Sequence, residues 1–74
     1  MATEPTITVR QEWAQRAAKD AGGATAWAQA LGVDKSTASR QLKGGVEASA
    51  RFIAAVLTRY PVTFDAAFDV QDAA

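Results

Sequence analysis

The chain has no cysteine and no histidine among its 74 residues. Without cysteine there is no disulfide and no thiolate metal site, which suits an intracellular protein. Without either residue, the usual zinc sites, cysteine nucleophiles and Ser-His-Asp triads are excluded. No run of about 18 apolar residues occurs, so no membrane span is expected. Met1 to Val9 lacks the basic start and apolar stretch of a secretory signal. Charge of one sign is lacking as well: eight basic and eight acidic residues cancel. A chain this short has room for one modest core and little for a deep pocket. An enzyme, a cofactor, a bound metal and a small-molecule ligand are therefore not expected.

What is present is a core-forming composition, 49% hydrophobic, arranged with helical spacing. Residues 1–8 read as a flexible arm or, from the alternation of Thr6-Ile7-Thr8-Val9, a short strand. Thr8 and Gln11 have capping-box spacing. They predict a first helix over about Val9 to Ala21, with Val9, Trp13, Ala17 and Ala21 as its apolar stripe. Gly22-Gly23 ends it. A second helix spans Ala24 to Leu31, with Ala24, Trp27, Ala28 and Leu31 on one face. Gly32 makes a left-handed turn and Val33 is an apolar anchor. Asp34 suits the N-cap of a third helix, Lys35 to Lys43, which Gly44-Gly45 closes. Ser49 caps a fourth helix reaching about Tyr60, with Phe52, Ile53, Val56, Leu57 and Tyr60 as its core stripe. Pro61 stops that helix. Thr63 caps one further turn, from which Phe64 and Phe68 dock on the core. The expected fold is all-α: a compact bundle of four to five helices forming a single domain over residues 9–70, with a tail over 71–74.

Ala24 to Gly45 thus has the pattern of a helix-turn-helix, two short helices joined at a tight glycine turn. Such a turn leaves one face of its second helix free for the major groove of DNA. With Ala38 and Leu42 turned inward, Ser36, Ser39, Arg40 and Lys43 fall on the outer side at i, i+3, i+4 and i+7. Lys35 projects from the first turn. Arg40 has the fork that reads guanine O6 and N7. Ser36 and Ser39 are short donors and acceptors. Thr37 and Gln41 lie at the edges of the face, where Gln41, turned outward, reads adenine. Lys35 and Lys43 suit phosphates, as do the backbone amides near Ala24 and Thr25 at the start of the second helix. Trp13 and Trp27 sit on core stripes and are assigned to packing rather than to base stacking. Asp65 and Asp69, four apart, are read as a solvated face rather than a catalytic pair.

The run Trp27-Ala28-Gln29-Ala30-Leu31-Gly32-Val33-Asp34-Lys35-Ser36-Thr37-Ala38-Ser39-Arg40 resembles the helix-turn-helix of the Cro/C1-type (xenobiotic-response-element-like) DNA-binding family. The family includes small phage Cro proteins and repressors. The resemblance covers about Val9 to Tyr60 and implies a lambda-repressor-like helical bundle. It further implies a transcriptional regulator in the bacterial cytoplasm that binds a double-stranded operator, as a homodimer on near-palindromic sites. Carried onto this chain, Lys35, Ser36, Ser39, Arg40 and Lys43 are the contacts. Gln41 departs from the pattern, standing where the family has an apolar residue, with Leu42 expected to take the inward role. The zero net charge and the acidic end, Asp65, Asp69 and Asp72, motivate a second reading. In it the chain is a protein-binding adaptor, such as an antirepressor or antitoxin-like factor, built on the same fold.

Overall fold

In the computed structural model, residues 4–71 are described. The order of elements is β1 (Thr6–Val9), α1 (Gln11–Ala21), α2 (Ala24–Leu31), α3 (Lys35–Lys43), α4 (Ala50–Arg59), α5 (Phe64–Ala67) and β2 (Phe68–Gln71). The all-α expectation is overturned. The two strands pair antiparallel, Thr6 with Gln71 and Val9 with Phe68, so the fold combines five helices with a two-stranded sheet. Gln71, expected to begin the tail, is the last residue of β2. The arm and tail expectations for residues 1–3 and 72–74 lie outside the described residues.

The sheet changes how α1 begins. Thr8 is committed to β1, so it does not cap a helix, and α1 starts at Gln11 with Arg10 at its N-cap. The Arg10 backbone N–H donates to the Ala67 carbonyl at 2.8 Å. Its Nε donates to the Asp65 carbonyl at 2.9 Å, and its guanidinium lies 3.7 Å from the Asp69 carboxylate. Arg10 thus clasps the start of α1 to α5 and β2. The ion pair is about half exposed on both sides, so solvent screening leaves it worth well under about 1 kcal/mol. Asp69 faces Arg10 from a strand and does not share a helical face with Asp65.

The core gathers Val9, Ala14, Ala17, Ala18, Trp27, Ala28, Leu31, Ala38, Ala48, Phe52, Val56, Ala67 and Phe68. On α1 the buried stripe is Ala14, Ala17 and Ala18, while Trp13 and Ala21 are half-buried at its edge. On α4, Phe52 and Val56 are buried, and Leu57, expected inside, is exposed. The six aromatic residues form one connected series. Tyr60 meets Trp13 edge-on at 5.3 Å, Trp13 meets Trp27 at 6.2 Å, and Trp27 meets Phe52 at 5.8 Å. Phe52 then meets Phe68 at 6.1 Å, and Phe68 stacks on Phe64 at 5.2 Å. Edge-on geometry places the positive rim of one ring on the negative face of the next. Both tryptophans therefore serve packing.

Candidate nucleic-acid interface

The turn between α2 and α3 is built on Gly32, at φ 75°. A side chain there is strained, and its Cβ would also meet the Arg59 guanidinium at 3.4 Å. The Gly32 and Val33 amides both donate back to the Ala28 carbonyl, at 2.8 and 3.0 Å. That closes α2 as a left-handed cap and fixes the direction in which α3 leaves. Val33 then packs against the core. Asp34 stands at the N-cap of α3, but its side chain makes no capping bond. The first-turn amides of α3 therefore carry no side-chain acceptor, and neither do those of α2, whose N-cap is Gly23.

At the other end, α3 is held by α1. The Gln11 side-chain amide donates to the Gln41 carbonyl at 2.9 Å, and that of Gln15 donates to the Leu42 carbonyl at 2.8 Å. The Arg40 carbonyl accepts from the Gly44 amide at 3.2 Å. Carbonyls at a helix C-terminus have no partner within the helix; here the Arg40 carbonyl takes the last regular bond, from the C-cap, and the next two, of Gln41 and Leu42, are satisfied by side chains of α1. Sequence reasoning missed this role of Gln11 and Gln15. The available signal was their spacing, which puts two polar amides on one face of α1.

Ala38 and Gln41 form the buried face of α3, and Leu42 is only half-buried. The expectation that Gln41 turns outward to read a base is thereby corrected. Its side chain is 5% exposed, and its amide nitrogen donates to the Glu47 carbonyl at 3.3 Å. The helix keeps the rotation in which position 41 points inward, and a polar residue fills that place. Its Oε1 is buried with no hydrogen-bond partner among the described residues.

Lys35, Ser36, Arg40 and Lys43 are exposed on α3, with Thr37 and Ser39 half-buried beside them. Thr25 is exposed in the first turn of α2. Among the described residues the one ion pair is Arg10 with Asp69, so Lys35, Arg40, Lys43 and Arg51 have no carboxylate within salt-bridge reach. A shallow notch of about 270 Å³ runs beside α3, lined by Thr37, Arg40, Gln41, Val46, Glu47 and Ser49. A second, about 150 Å³, adjoins it near Asp34, Thr37 and Arg51. Arg51, at the start of α4, thus borders the surface that carries α3. A larger depression of about 380 Å³ lies past the C-terminal end of α3, between Gly44-Gly45 and the paired Arg10 and Asp69. Among the described residues no cluster of three or more acidic side chains is placed to hold a metal ion. No helix of the described residues is long and apolar enough to cross a membrane.

No protein-family model, curated protein or solved structure matches the chain.

Proposed function

We propose that the chain is a sequence-specific double-stranded DNA-binding regulator, of the kind that phage Cro proteins and repressors represent, with α3 in the major groove. The observation that carries this reading is the division of α3 into two faces. Ala38 and Gln41 are locked inward, while Ser36, Arg40 and Lys43 stand free of any acidic partner among the described residues. Water solvates single unpaired cations equally well, as it does Arg16, Lys19 and Arg59; what supports the reading is the grouping of Lys35, Arg40 and Lys43 on one helix, where a duplex supplies their counter-charge. Arg40 reads a guanine edge. Ser36 and Ser39 take base edges or a phosphate. Lys35, Lys43 and Arg51 meet phosphates, and the uncapped amides around Ala24 and Thr25 seat another. Binding sites are two-fold symmetric if the chain acts as a homodimer.

The test is a selection from random duplex DNA at near-physiological salt, with Arg40→Ala as control. The expected result is an enriched motif that the variant loses. On the selected site, Arg40→Ala costs about 1–3 kcal/mol and relaxes one base position. Lys43→Ala weakens all sequences alike and flattens the plot of log affinity against log salt by about 0.9. Absence of enrichment over the control overturns this reading. It then favours the protein-binding adaptor, for which the zero net charge is the supporting observation.

A further inference from the structure

Each base asks for its own side chain in the major groove. A bidentate amide suits adenine, an apolar group the thymine methyl, a carboxylate the cytosine amino group, and a guanidinium or ammonium the O6 and N7 of guanine. The outward face of α3 offers these very unequally.

Adenine has no reader there. The chain contains no asparagine and five glutamines. Gln11 and Gln15 commit their side-chain amides to the Gln41 and Leu42 carbonyls. Gln41 is buried, and its amide nitrogen donates to the Glu47 carbonyl. Gln71 lies in β2, paired with Thr6. Gln29 is exposed but belongs to α2, the helix that crosses the backbone rather than entering the groove.

The thymine methyl has no partner either. Ala38 is fully buried and Leu42 is packed against the core. Thr37 also carries a methyl group, but it is half-buried and walls both notches beside Ser49. Guanine, by contrast, is served. Arg40 is exposed, and no carboxylate among the described residues is within salt-bridge reach of its guanidinium. The carboxylates that flank α3, Asp34 and Glu47, suit cytosine, whose pair is again G·C. Ser36 and Ser39 can donate to or accept from any base, so they select none.

We propose that α3 reads G·C pairs alone. Direct recognition is centred on a guanine held by Arg40, and A·T pairs act only through the shape and flexibility of the duplex. This rests on the DNA-binding reading above and names the bases through which it works.

The experiment uses the full chain and the duplex enriched from random DNA at near-physiological salt. Base analogues then replace one position at a time. 7-Deazaguanine and 7-deazaadenine lack the N7 acceptor, and uracil lacks the thymine methyl, while base pairing is kept. At one guanine per α3, 7-deazaguanine is expected to weaken binding about tenfold. In Arg40→Ala the same replacement has no further effect, which ties that base to that side chain. 7-Deazaadenine or uracil at any A·T pair is expected to change affinity by less than about threefold, short of a lost base contact. Ser36→Gln adds an adenine reader to the exposed face, and its selected motif is expected to gain an adenine.

A loss of more than about threefold from 7-deazaadenine or uracil overturns the inference and leaves DNA binding itself standing. So does a guanine effect that survives Arg40→Ala, or a Ser36→Gln motif without the new adenine. Failure to enrich any duplex is a different result: it removes the DNA-binding reading, and the base preference falls with it.

Discussion

Gln41 carries a polar group into a core of alanine, valine, leucine, tryptophan and phenylalanine, in which the Trp27 Nε1 is the other buried polar side-chain atom without a partner among the described residues. An unpartnered buried acceptor costs roughly 1–3 kcal/mol, and the bond that its amide nitrogen makes returns only part of that. Gln41→Leu removes the orphaned Oε1 at similar volume. The Glu47 carbonyl that loses its donor belongs to an exposed residue and turns to water. The variant is therefore expected to be more stable by about 1 kcal/mol, a rise in Tm of about 4–8 °C in a domain of this size. Thermal denaturation followed by circular dichroism measures it. A fall in Tm would mean that the Oε1 has a partner, such as a buried water. Gly44 is the opposite case. Its φ of 80° strains any other residue, and the Gln11 amide, 3.2 Å from an added Cβ, would have to give way.

At the scale of elements, α3 depends on α1 more than on its own caps. Asp34 gives it no side-chain bond at the start, whereas Gln11 and Gln15 hold its last carbonyls. Replacing both glutamines by alanine should cost about 1–2 kcal/mol in total. Amide exchange should quicken at Gly44 while the protection of α4 is unchanged. Equal loosening throughout would show that α1 and α3 do not move as a separate pair. The helices themselves were legible in the sequence. The bounds of α2 and α3, the Ser49 and Thr63 caps and the Gly32 turn all follow from local rules, because caps and glycine turns act over three or four residues. The Ser49 hydroxyl accepts from the Phe52 amide at 3.1 Å, and that of Thr63 from the Ala66 amide at 3.3 Å. The sheet was not legible. Thr6-Ile7-Thr8-Val9 is too short an alternation to outweigh the capping-box spacing of Thr8 and Gln11. Phe68 reads equally as the end of a helical turn. Nothing local says that residues at opposite ends of the chain pair. On the candidate interface, the exposure of Lys35, Ser36, Arg40 and Lys43 agrees with helical periodicity. The inward turn of Gln41 was hidden because leucine at the next position is the more obvious core residue.

At the scale of the whole molecule, β1 and β2 complete the core. Val9 is 4% exposed and Phe68 1% exposed, each in the strand opposite the other. Deleting residues 1–9 removes Val9 and Ile7, uncovers Phe68 and strips the Ala48 amide of its acceptor. The expected loss is about 3 kcal/mol or more, lowering Tm by about 10 °C or more. A calorimetric scan of the truncated chain checks this. An unchanged transition would show that the helices alone carry the stability.

The pairing of Thr6 with Gln71 also makes the polypeptide nearly a closed loop in space. Helical domains usually fold through contacts between near neighbours, and fast, but here one contact must wait until both ends of the chain meet. That late step is an entropic cost that a covalent bond can remove in advance. Joining the ends through a short flexible linker would turn the protein into a ring, its unfolded state already constrained and its folding less dependent on chance encounter. New ends could then be cut at Gly44-Gly45, leaving a circular permutant in which the two strands form a continuous hairpin.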